Sequence, residues 1–173
     1  FWHKLKKNLV LIGMMGVGKS TIGGLLSKKL GIPFEDLDNK IEVNESLTIK
    51  KIFDLKGEKY FRKIEEREGL NIVEGEGKII ALGGGTFMNQ KVREKVKKLS
   101  FSVWLDLSPI KIFNRVKKNK GRPLLINAKS IKDVEKIYLN RKKIYALADY
   151  KLNCASKNKE DVANEIKKIY ENI

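Results

Sequence analysis

Apolar and polar positions along the chain fall into blocks that switch between two periods. The unbroken apolar run Leu9-Val10-Leu11-Ile12 predicts a buried strand. The spacing then turns helical over 19–30, with Ile22, Leu25, Leu26 and Leu30 making one face. Gly31 provides the stop for that helix, and Pro33 prevents its continuation. A short strand is expected at 34–37, and helical segments run through Ile41, Ile49, Ile52 and Phe53. A further helix is expected over about 57–73, then a compact strand at 78–82 that ends in Gly83-Gly84-Gly85. A helix near 90–98 leads to a strand at 101–107, and Pro109 suits the first turn of a helix reaching about 117. Beyond a polar stretch at 118–130 come a helix at 131–148, a strand at 150–153 and a last helix near 160–173. That last helix carries Val162, Ile166, Ile169 and Ile173 on one face. Trp104 and Phe113 read as core, Arg67 and Arg93 as surface, and His3 as part of an unstructured end.

Strands with near-continuous apolar cores, separated by helices, imply an α/β fold. The expected form is a three-layer sandwich: a mostly parallel five-stranded central sheet with helices on both faces. At 173 residues, with neither a repeat nor a linker, one domain over 1–173 is expected. Ligands of such sheets gather beyond the carboxyl ends of the strands. The turn after 9–12, the segment around Asp36 and Asp38, and Gly83 to Gly85 all stand at such ends.

The first of these is the most specific. Gly13-Met14-Met15-Gly16-Val17-Gly18-Lys19-Ser20 has the spacing of a phosphate-binding loop between a strand and a helix. Glycines let successive N–H groups point inward at an anion, and the helix dipole aims at the same point. Lys19 adds a charge near the β and γ phosphates, and the Ser20 hydroxyl is placed to ligate Mg2+. The expected nucleotide contacts are Gly13, Met15, Gly16, Val17, Gly18, Lys19, Ser20 and Thr21.

Composition narrows the partners. The single Cys154 excludes an internal disulfide, and there is no Cys/His metal cluster, so a reducing, cytoplasmic setting is expected. No apolar stretch is long enough to span a bilayer, and the start lacks the build of a signal peptide. The net charge of +16 suggests nucleic acid, but the lysines are spread along the chain without interleaved aromatics, so no specific nucleic-acid role is expected. Only six of the 37 basic residues are arginine: Arg62, Arg67, Arg93, Arg115, Arg122 and Arg141. In a chain that uses lysine for generic charge, arginine points to its planar fork, which grips carboxylates and phosphates.

Asp36 and Asp38 admit two readings taken alone. One divides metal orientation and proton acceptance between them; the other makes Asp38 a helix cap beside a surface carboxylate. Their neighbours add to this. Phe61-Arg62-Lys63-Ile64-Glu65, the triple glycine, Gly121-Arg122-Pro123-Leu124-Leu125, and Arg141 four residues before Tyr145 follow in order. With the phosphate loop and the Asp-x-Asp pair, the chain resembles the shikimate kinase family over essentially its whole length. That family has the P-loop NTPase fold, of the nucleoside monophosphate kinase-like type, with a mobile lid.

The resemblance implies ATP-dependent phosphorylation of the 3-hydroxyl of shikimate, with Mg2+, by a monomer acting on shikimate and ATP. It implies that Arg62 and Arg141 grip the substrate's carboxylate beside Gly83, Gly84 and Gly85, with Glu65 orienting Arg62. Asp38 would be the base, Asp36 would steady Mg2+ through water, and Ser20 would bind it directly. Lys19 and Arg122 would act on the transferring phosphoryl, Arg122 from a lid at 118–130, and Arg115 would stack on adenine. Lys143 stands where family members commonly have proline, and the loop 153–159 matches weakly. The weighed alternatives are a gluconate-type kinase, a catalytically silent nucleotide-binding homologue and a nucleic-acid-associated NTPase.

Overall fold

Five strands lie side by side in the order β2-β3-β1-β4-β5, and every neighbouring pair is parallel. They are β1 (Asn8–Ile12), β2 (Phe34–Asp36), β3 (Ile79–Ala81), β4 (Ser100–Asp106) and β5 (Tyr150–Asn153). In this computed structural model the described residues are 6–117 and 130–173. The expected lid, with Gly121, Arg122 and Pro123, therefore lies outside the described residues apart from Ser130, as does His3.

Helices α1 (Lys19–Leu30), α2 (Leu37–Glu45), α3 (Ile49–Ile72), α4 (Gln90–Leu99), α5 (Pro109–Lys117), α6 (Ile131–Tyr145) and α7 (Lys159–Glu171) connect and cover the strands. Every residue of β1 is buried, which requires cover on both faces of the central strand. Its side chains, with Ile79, Ile80, Val103 and Leu105 of the neighbouring strands, form the middle of the core. Asn8 starts β1 with a buried amide that is fully used. Its Nδ2 donates to the Val73 and Gly75 carbonyls at 3.1 Å each, and its Oδ1 accepts from Lys78 N–H at 3.2 Å. The first strand is thereby pinned to the turn that leads into β3.

Gly31 closes α1 in the left-handed conformation at φ 68°, as expected of a helix-ending glycine. Other boundaries differ from the sequence reading. β2 stops at Asp36 and α2 begins at Leu37, so Asp36 caps the helix, accepting from Asn39 N–H at 3.2 Å. Asp38, expected as a possible cap, lies instead in the first helical turn. The segments on either side of residue 57 run together as α3, broken at Gly57, where φ 85° and ψ 166° are not helical. A short 3-10 turn at Thr86–Met88, absent from the sequence reading, follows the triple glycine. Arg93 is half-buried rather than a plain surface residue. Its Nη1 donates to the Phe87 carbonyl at 2.9 Å and the Met88 carbonyl at 3.2 Å, bracing that turn. Trp104 is in the core and Phe113 packs at its edge.

Candidate active site

The parallel sheet delivers the ends of β1, β2 and β3 to one edge, and the sequence-predicted residues gather there. After β1 the chain turns through Gly13, Gly16 and Gly18, all at positive φ. Gly13 runs so close to β4 that a Cβ there would lie 2.6 Å from the Leu105 carbonyl oxygen. Met15 and Val17 are buried, so toward an anion they can offer only their backbone amides. Lys19 opens α1 with its ammonium curled over the loop, donating to the Gly13 carbonyl and, at 3.2 Å, to that of Met14. Ser20 Oγ donates to Asp36 Oδ2 at 2.5 Å, so the cap of α2 also faces the first turn of α1. Thr21 is exposed on the same turn.

Arg115 reaches the loop from α5. Its Nη1 donates to the carbonyls of Gly16 and Val17 at 3.2 and 3.3 Å. The loop 153–159 approaches as well, with Lys159 Cε 3.2 Å from where a Gly18 Cβ would stand. Cys154, buried just past β5, has its thiol pushed up to about 11 by burial.

The second half of the site is built on Gly83, Gly84 and Gly85. Each lies where a side chain would collide with a different functional group. A Cβ at Gly83 would meet Asp38 Oδ1 at 2.8 Å, one at Gly84 would meet Arg141 Nη1 at 2.9 Å, and one at Gly85 would meet Arg62 Nη1 at 2.6 Å. One carboxylate and two guanidinium groups, from α2, α3 and α6, thus converge on three successive backbone units. The Gly84 position is also 3.6 Å from Met15 N, so this cradle adjoins the phosphate loop. These glycines are needed for room; Gly85 itself has an ordinary φ of −97°.

Glu65 sets the second guanidinium. It is 4 % exposed, and its two oxygens are divided between Arg62 Nη1 at 2.9 Å and Thr86 Oγ1 at 3.0 Å. A buried carboxylate is kept only where it is paired and hydrogen-bonded, and Glu65 meets both conditions. Tyr145, fully buried against Trp104, donates its hydroxyl proton to the Gly84 carbonyl. Burial pushes its phenol upward, and the neighbouring Arg141 opposes that in part.

Asp38, Arg62, Arg141, Glu65 and the glycines are therefore brought together beside Lys19 and Met15. Arg115 stands apart, on the other flank of the phosphate loop. Sequence reasoning did not single out Thr86, Tyr145 as a contact to Gly84, or Lys159 near Gly18. Only Tyr145 carried a signal, its one-turn spacing from Arg141 on the same helix face. Among the described residues no helix is long and apolar enough to cross a membrane.

Comparison with known proteins agrees with this arrangement. A sequence model of the shikimate kinase family matches residues 15–171. A shikimate kinase of Sulfurihydrogenibium sp. is 39 % identical over 160 residues, covering 92 % of this chain and 95 % of the relative. The solved shikimate kinase of Aquifex aeolicus is 36 % identical, with a TM-score of 0.82 over 95 % of this chain and 96 % of that one. That of Acinetobacter baumannii in complex with shikimate is 28 % identical, with a TM-score of 0.91 over 96 % and 94 %. On the match of sequence, fold and the residues gathered at the sheet edge, the chain belongs to the shikimate kinase family.

Proposed function

We propose that this chain transfers the terminal phosphoryl group of ATP to the 3-hydroxyl of shikimate, giving shikimate 3-phosphate and ADP. The observation that carries this reading is the convergence of Asp38, Arg62 and Arg141 on the three glycines next to the phosphate loop. A planar fork binds a carboxylate through two parallel hydrogen bonds, and two such forks around an amide-lined turn suit a rigid ring acid. Asp38, on the opposite end of the same cradle, suits the ring hydroxyls, where it would orient the nucleophile and receive its proton.

On the nucleotide side, the amides from Gly13 to Thr21 and the Lys19 ammonium would hold the phosphates in line with the acceptor. Lys19 now rests on the loop's own carbonyls and would turn from them to phosphate oxygens, whose full negative charge makes the stronger acceptor. The Ser20 hydroxyl and Asp36 carboxylate, 2.5 Å apart, are hard oxygen donors of the kind Mg2+ takes, with Ser20 as direct ligand and Asp36 acting through water. The ion, when bound, supplies positive charge against the phosphoryl oxygens. Arg115 uses the edge of its guanidinium on the loop carbonyls, which leaves the flat face for an adenine ring. Arg122, outside the described residues, is the arginine the family resemblance gives to the transferring phosphoryl group.

The test is a coupled ADP-release assay with ATP and Mg2+, comparing shikimate, quinate and gluconate as acceptors. Turnover with shikimate well above both others is expected. Turnover with gluconate equal to or above that with shikimate would refute the assignment, as would ATP hydrolysis that no acceptor stimulates.

A further inference from the structure

The triple glycine has a support that the reaction as proposed does not use. Tyr145 is completely buried, its ring tilted against Trp104 at 5.8 Å between centroids, and its hydroxyl donates to the Gly84 carbonyl. A peptide unit is planar and trans, so fixing the direction of the Gly84 carbonyl fixes the Gly85 N–H in the opposite direction. Among the described residues, no group accepts a hydrogen bond from the amides of Gly83, Gly84 or Gly85, although these residues are buried. Buried amides are almost always paired, so an amide without a partner among its described neighbours suits a ligand's acceptor. Tyr145 also stands one helical turn after Arg141, whose guanidinium lies beside both its hydroxyl and the Gly84 backbone. One hydroxyl thus touches the peptide and the fork that flank the proposed carboxylate position.

Resting on the shikimate assignment above, we propose that Tyr145 is a positioning residue for the acceptor substrate. By holding the Gly84 carbonyl it aims the Gly85 N–H at the substrate's carboxylate, in register with Arg141. Without the hydroxyl, the turn keeps its Thr86 N–H to Gly83 carbonyl bond at 3.1 Å, but the Gly84–Gly85 peptide at its centre loses its own hold and the amide its direction. The phosphate loop, supported by β1, α1 and Arg115, is untouched by that change.

The test compares the unmodified protein with Tyr145→Phe, which keeps the ring on Trp104 and removes only the hydroxyl. The Michaelis constant for shikimate is expected to rise roughly tenfold, less than the loss of a whole hydrogen bond to a charged group because the amide is misdirected rather than removed. The Michaelis constant for ATP should stay within about twofold, because the hydroxyl does not reach the loop. An unchanged shikimate constant, or both constants rising in parallel, overturns the proposal, the second because it marks a general loosening. In the 15N-labelled unmodified protein, the Gly85 amide proton should move downfield as shikimate saturates the site. A Gly85 resonance that does not move overturns the proposal even if Tyr145→Phe fails to fold. An unmodified protein that turns over no shikimate would sink the functional assignment beneath it, a different result from an active enzyme indifferent to Tyr145→Phe.

Discussion

Substituting Gly85 by alanine probes the substrate cradle with a single methyl group. The backbone at this position, φ −97° and ψ −8°, is open to any residue, so no strain arises from the main chain. The methyl would stand 2.6 Å from Arg62 Nη1 and 3.3 Å from its Cζ and Nη2. Ordinary contact lies near 3.5 Å, so the guanidinium must withdraw by about 1 Å. Arg62 is a long side chain, 32 % exposed, and can withdraw at a folding cost of about 0.5 kcal/mol. With one nitrogen still on Glu65, now at 2.9 Å, the withdrawal carries the rest of the fork away from any carboxylate it would grip. A charge-assisted hydrogen bond contributes about 2 kcal/mol, or about 30-fold in binding. In the coupled ADP-release assay at saturating ATP, Gly85→Ala should therefore raise the shikimate Michaelis constant about 30-fold. The constant for ATP should stay within about twofold and the melting temperature within about 3 °C. A shikimate constant within threefold of the unmodified protein would show that Arg62 is not engaged with substrate. A large fall in melting temperature would show that Gly85 serves packing instead.

Arg62→Lys keeps the charge but loses the fork, so it cannot serve Glu65 and a substrate carboxylate together; a roughly tenfold rise in the shikimate Michaelis constant is expected, and an unaltered value would contradict this. Gly23 and Gly24, adjacent on α1, should respond with opposite sign. A Cβ at Gly23 would fall 2.2 Å from the Phe34 ring, so alanine there should destabilise by about 1–3 kcal/mol. Nothing lies within 4 Å of a Cβ at Gly24, so alanine there should stabilise by about 0.5–1 kcal/mol. Urea unfolding of both variants checks the pair, and changes of the same sign would refute the packing account. Cys154 should resist thiol reagents at pH 8 until the protein unfolds, because burial holds it protonated up to about 11. The folded state then holds that proton more tightly than the unfolded state, whose value is 9.0. The resulting contribution is complete below pH 9 and is lost as pH rises through about 11. The loss of stability over that window should be shallower in Cys154→Ala, and an identical slope would remove the thiol as its cause.

Legibility in the sequence followed the range of the interaction. The phosphate loop was plain because its glycines, Lys19 and Ser20 act within eight residues, and the apolar run of β1 needed no partner to be recognised. The end of α1 at Gly31 was equally local. The triple glycine was visible as a pattern, but its physical cause was not. What fills the space beside each glycine comes from Asp38, Arg141 and Arg62, tens of residues away, and only the fold brings them there. Arg93 misled for the same reason: its helix position reads as solvent-facing, while the carbonyls it braces belong to a 3-10 turn that no periodicity announces. Whether Asp38 caps α2 was left open between two readings, because Asp36 and Asp38 are both good capping residues, and the choice of Asp36 rests on where pairing with β3 stops.

The break at Gly57 bears on how the acceptor end is mounted. With φ at 85° the intrahelical ladder is interrupted, so the portion of α3 that carries Arg62 and Glu65 meets the portion before it at a break rather than as one continuous rod. Both portions stay tied to α2, since Lys56 before the break and Tyr60 after it each bond the same Glu45 carboxylate. One glutamate of the helix that presents Asp38 thus bridges the joint, so a shift of that helix reaches both halves of α3, including the half that carries Arg62 and Glu65.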